Sequence, residues 1–159
     1  MRKFSKNSGF MVVELLIGVS IITVSIFAAM IVAQKSINVS RQALHVSQAS
    51  FLLEEGAEAV RIVRDNAWSN ISNLTASASY YPNFSGGTWV LDSNLNTIGI
   101  FTRNVSVSAV NRDDTTKDIV TSGGTTDAGT RLVTVTVSWL EGATTVSKSI
   151  QFYIMDIFS

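Results

Sequence analysis

The 159 residues suffice for one domain with an appendage, and Lys+Arg and Asp+Glu stand level at 12 each, so no net basic field points to nucleic acid. There is no cysteine, which excludes a disulfide framework and any thiolate metal site. The single proline, Pro82, leaves long helices and strands free to run uninterrupted.

The first nine residues hold three of the basic side chains, Arg2, Lys3 and Lys6, and end in Gly9. An apolar run follows. From Leu15 to Ala33 there are 19 residues without formal charge, broken only by Gly18, Ser20, Thr23 and Ser25. At about 1.5 Å rise per residue this suffices to cross a hydrocarbon core of about 30 Å as a helix. Glu14 stands at the head of that run. A carboxylate at mid-bilayer costs roughly 2.5–3.5 kcal/mol, so such a residue calls for a partner or a function.

Beyond Ala33 the pattern stays helical and becomes amphipathic. Ile37, Leu44 and Phe51 recur at heptad spacing, and Leu52, Ala59, Val60 and Val63 continue the stripe. Glu58 with Arg61, and Arg61 with Asp65, sit at ion-pair spacing on the wetter side. Gly56 weakens the helix without ending it. One helix is predicted from about Phe10 to Asn66.

Residues 69–87, rich in Ser, Asn, Thr and Gly, read as an irregular connector. Strand patterns of period two follow. Val105, Val107 and Ala109 alternate with polar residues, as do Val133, Val135, Val137 and Trp139. A last run, Val146 to Met155, places Ile150, Phe152 and Ile154 on one parity. Thr88 to Leu91 and Thr97 to Phe101 are weaker candidates. The polar segment 111–130 and the Glu141-Gly142 region read as turns. One-sided alternation implies an antiparallel sheet with one buried face, and the amphipathic part of the helix is its available cover.

Three readings compete for the N-terminus. An ordinary signal peptide has a shorter apolar region and a better small-residue cleavage site than Ile31-Val32-Ala33. A plain anchor fits the length, with the basic flank held in the cytoplasm. Neither accounts for Gly9, Phe10 and Glu14 together.

At K-N-S-G-F-M-V-V-E-L-L the chain resembles the type IV prepilins and type II secretion pseudopilins. Their signature is a short basic leader ending in Gly, then usually Phe, with Glu at the fifth mature position and an uninterrupted apolar helix. The resemblance implies that a prepilin peptidase cuts after Gly9 and methylates the new amine of Phe10. It also implies that Glu14 meets the Phe10 amine of an adjacent subunit during assembly. Met11 and Val12 depart from the usual residues, Ile31 stands where many major pilins have a proline, and the cysteine-bounded loop is missing. These departures favour a minor pilin or pseudopilin. The run from Gln48 to Asn66 and the late paired strands resemble minor members in layout.

The expected organisation is thus a cleaved leader over 1–9, a transmembrane and filament-core helix over 10–33, its amphipathic continuation over 34–68, and an extracytoplasmic β-sheet head over 69–159. The expected fold class is α+β, a long N-terminal helix packed on a small antiparallel sheet. Implied partners are the prepilin peptidase, other pilin or pseudopilin subunits, the inner membrane and an assembly platform protein. The implied location is the inner membrane before assembly, and a surface pilus or periplasmic pseudopilus after it. The alternative is an uncleaved membrane-anchored β-domain that binds a ligand or partner.

Other signals have ordinary readings. His45, the only histidine, reads as a solvated helix residue, and Glu54, Glu55 and Glu58 as a solvated face. Asp113, Asp114, Asp118 and Asp127 lack EF-hand spacing and read as a polar loop. The five N-x-S/T sequences, at Asn38, Asn70, Asn73, Asn83 and Asn104, match what chance gives in so polar a chain. No G-x-S-x-G elbow or phosphate loop occurs, so neither a catalytic site nor a cofactor is expected. Trp68, Trp89 and Trp139 are expected to anchor the core of the head.

Overall fold

The computed structural model describes residues 8–158 of the chain. It divides into two compact units, residues 1–44 and 45–159. Helix α1, Ser8–Asn66, contributes to both. Residues 10–33 form part of a helix long and apolar enough to cross a membrane, and none of its most apolar stretch is buried. Every residue from Phe10 to Leu44 is exposed except Gly18, which is half-buried.

The second unit is an antiparallel sheet covered on one face by residues 45–66 of α1. Short helix α2, Ser69–Ser72, follows. Then come β1 (Tyr81–Ser85), β2 (Thr88–Asp92), β3 (Thr97–Ile98), β4 (Phe101–Arg112), β5 (Ile119–Val120), β6 (Thr125–Glu141) and β7 (Thr144–Met155). Strands β1 and β2 make a separate hairpin. The main sheet has the order β3-β4-β6-β7, with β5 added to β4. The connector expected over 69–87 therefore holds α2 and β1, and the turn expected over 111–130 is strand over half its length, at 111–112, 119–120 and 125–130. In both places backbone pairing overrides a polar composition.

The core joins Ala49, Leu53, Val60 and Val63 of α1 to Val105, Val107, Val133, Val135, Val137 and Trp139 of the sheet, all buried. Each fully buried valine or leucine among them contributes roughly 1.5–3 kcal/mol by leaving water. Trp68 and Trp89 pack, partly buried, against this cluster. The expected helical stripe is corrected in its first half: Ile37, Leu44 and Phe51 are 62%, 56% and 67% exposed. The buried face instead runs Ala49, Leu53, Gly56, Val60, Val63. Its period is the expected one, but small side chains mark it because helix and sheet approach closely. A Cβ on Gly56 would lie 2.7 Å from a methyl of Val135 and 3.0 Å from Arg103 Cδ.

The alternation in β4 also breaks. Ala109 is exposed and Val110 buried, because the β4–β6 register shifts between them. Ala109 pairs with Arg131 and Val110 with Asp127, so residues 128–130 of β6 have no partner on β4 and form a bulge. Asp127 holds the bulge. It accepts hydrogen bonds from the Gly129 backbone N–H (2.8 Å), the Thr130 hydroxyl (2.6 Å) and Arg112 Nε (2.6 Å). The Thr130 and Arg112 hydrogen bonds hold its carboxyl down to about 2. The ion pair expected between Arg61 and Asp65 does not form: Arg61 pairs with Glu58, and Asp65 accepts from Arg64 Nε at 2.8 Å.

Candidate functional site

The leader residues Arg2, Lys3 and Lys6 lie outside the described residues. Gly9 lies in the first described turn of α1, so the Gly9–Phe10 bond is within helix. Phe10 is 83% exposed. Glu14 follows four residues on, one helical turn away along the axis.

The polar side chains between residues 10 and 33 divide sharply. Ser20 donates to the carbonyl of Ile17 (2.7 Å), Thr23 to that of Val19 (2.8 Å) and Ser25 to that of Ile21 (2.8 Å). All three hydroxyls are thereby satisfied within the helix and are cheap to hold in lipid. Glu14 is the exception: among the described residues it has no hydrogen bond and no ion pair. It borders a shallow groove of about 360 Å³ with Met11, Leu15, Gly18, Val19 and Ile22. Gly18 is one of its lining residues, and a Cβ placed there would meet nothing within 4 Å. The sequence marked Gly18 only as a break in the apolar run; the missing side chain one turn from Glu14 was the available signal. The arrangement can accept a cation, or a backbone bearing one, against a carboxylate otherwise surrounded by apolar side chains.

Among the described residues no group of three or more His, Asp or Glu is arranged to hold a metal ion. Asp113 accepts the backbone N–H groups of Thr116 and Thr115, both at 2.8 Å, which pull its carboxyl below the ordinary range. Asp114 accepts the Thr125 hydroxyl (2.6 Å). These aspartates serve turns. A cleft of about 250 Å³ is lined by Val63, Asn66, Asn70 and residues 88–91, without any of them.

One expectation on the helix changes. His45 is not simply solvated: its Nδ1 lies 3.4 Å from Glu141 Oε1, and its ring meets Phe101 edge-on at 6.1 Å. Glu54, Glu55 and Glu58 are exposed as expected, and Glu55 also accepts a 2.7 Å hydrogen bond from Arg103 Nη1. Arg103 sits on the buried parity of β4, 2% exposed, with its guanidinium over Trp89 at 5.3 Å. Its Nε finds no acceptor. These contacts bind helix to sheet and were not legible in the spacing.

No family model, no curated protein and no solved structure matches the chain. What stands is the architecture. A long apolar N-terminal helix with a small antiparallel sheet packed on its later part is pilin-like in layout.

Proposed function

We propose that this chain is a structural subunit of a pilin-like filament, of the minor pilin or pseudopilin kind. In this reading residues 1–9 are a leader removed after Gly9, and the new amine of Phe10 is methylated. The apolar half of α1 rests in the inner membrane before assembly and packs against other subunits afterwards. Glu14 then meets the Phe10 amine of a neighbour, a charge that comes into being only with processing. The prepilin peptidase and an assembly platform protein are the partners such a route requires. The chain's role is mechanical and not enzymatic.

One observation carries the reading. In a stretch whose other polar groups are all satisfied internally, Glu14 alone has no partner among the described residues, and it borders a groove lined by Gly18 and apolar side chains. At low effective dielectric a close pair gains far more than in water, with desolvation cancelling part of the gain. Such a pair fixes the register between helices more than it adds net stability.

Intact-mass measurement of the membrane-extracted chain, from cells containing a prepilin peptidase, tests the processing step. The expected mass lacks residues 1–9 and carries one added methyl. A chain retaining Met1 to Gly9 sinks the proposal and favours an uncleaved anchor bearing a binding domain. Glu14→Ala should leave insertion and cleavage intact and cut incorporation into filaments at least tenfold, read by immunoblot of sheared filaments.

A further inference from the structure

The two edges of the main sheet are treated differently. Along β4 the outer edge is closed piecemeal. Strand β3 pairs at Phe101 and Thr102, and β5 at Asn111 and Arg112. Between them Tyr80 exchanges backbone hydrogen bonds with Val105 (2.8 and 2.7 Å), and the Ser77 N–H reaches the Val107 carbonyl (2.8 Å). The opposite edge is β7, which pairs with β6 over all 12 of its residues without a register shift. Among the described residues its other side has no strand and no backbone partner.

The β6–β7 turn says which groups lie bare. Glu141 pairs with Thr144 across Gly142-Ala143, and Gly142 has φ +63°. A two-residue loop with glycine first is the II′ hairpin turn, whose flanking residues exchange backbone hydrogen bonds. Hydrogen-bonded pairs alternate along an antiparallel ladder. The even-numbered residues of β7 therefore bond to β6. The N–H and C=O groups of Thr145, Ser147, Ser149, Gln151, Tyr153 and Met155 point outward.

The side chains add chemistry to that edge. Val146, Ile150 and Phe152 face the helix side of the sheet and remain only half-buried. The apolar layer is thus unfinished where β7 ends it. Lys148 lies on the same parity, is exposed, and makes no ion pair among the described residues. An inward-facing lysine on an edge strand discourages indiscriminate pairing. It also selects a partner that brings a carboxylate.

We propose that β7 is a strand-addition site for an extended peptide segment of another protein, running antiparallel to β7, with apolar side chains beside Val146, Ile150 and Phe152 and a carboxylate facing Lys148. Backbone hydrogen bonds supply the affinity and the alternating side chains the selectivity. The inference concerns the head alone and does not depend on processing at Gly9.

The test uses the full chain in detergent micelles and a fluorescein-labelled nine-residue peptide alternating threonine and valine, with one central valine replaced by glutamate. A second peptide carries lysine at that position. Fluorescence anisotropy is expected to show saturable binding of the glutamate peptide and about tenfold weaker binding of the lysine peptide. Ser149→Pro removes an outward N–H, a change edge strands accommodate, and should abolish binding while tryptophan-monitored melting stays put. Lys148→Glu should reverse the peptide preference, which keeps the test decisive even if the proline variant unfolds. Binding absent up to millimolar peptide, or indifferent to both substitutions, overturns the proposal. So does self-association of the chain that Ser149→Pro abolishes, since a second copy would then be the occupant.

Discussion

One helix, α1, meets two different fates along its length. Over residues 10–44 its leucines, isoleucines, valines and phenylalanines are exposed, Phe27 by 62%. Over residues 45–66 the side chains with least exposure include Ala49 and Ala59, at 0% each. Hydrophobicity does not sort the two stretches, because the larger apolar groups lie in the bare one. The difference is the presence of a sheet, and a sheet that comes close enough to require glycine at position 56. A large apolar face that a chain leaves uncovered marks a surface for interaction with a partner or a membrane.

The largest effect should come from closing that approach. Gly56→Leu drives a side chain into Val135 and Arg103 and is expected to destabilise the head by about 3 kcal/mol. Thermal melting followed by tryptophan fluorescence would show this as a drop of roughly 10–20 °C. The same measurement distinguishes buried from bare positions on the one helix. Val60→Ala should cost about 2 kcal/mol by leaving a cavity, while Phe51→Ala should change stability by less than about 0.5 kcal/mol. Equal effects at these two positions would erase the contrast between the faces.

A smaller effect is expected at the bulge. Asp127 titrates at about 2 in the fold against an ordinary 3.8. A depressed carboxyl stabilises the fold above its unfolded value and loses that contribution as pH falls towards its folded one. Asp127→Asn should therefore cost about 1–2 kcal/mol at pH 7, and the gap to the parent should close between about pH 4 and pH 2. Denaturant titrations at pH 7, 4 and 2 read it directly. A gap constant with pH would mean that the side chain matters by shape and not by charge.

Much of the fold is legible in local pattern. The helix from Phe10 to Asn66, the strand that holds Val133 to Trp139 and the strand that ends in Met155 follow from period 3.6 and period 2, because those periods reflect backbone geometry. Glu14 is legible for a similar reason: a charge in an apolar run is anomalous without any neighbour being known. The face of α1 that is buried was legible only in part. Ile37, Leu44 and Phe51 have the right spacing, and nothing local says that a sheet covers the neighbouring row instead. Ala109 and Val110 exchange sides because of a bulge whose cause, Asp127, is 17 residues further along the chain.

The sequence by itself determined the apolar helix, its misplaced carboxylate, the absence of cysteine chemistry and the alternation that makes a one-faced sheet. These depend on interactions between residues near in sequence, or on composition alone. Tertiary structure decided which stripe of the helix is core, that Arg103 is buried against Glu55 and Trp89, and that β7 is left as an open edge. Each of these depends on which elements become neighbours in space, and hydrophobic burial does not specify a neighbour until close packing selects one.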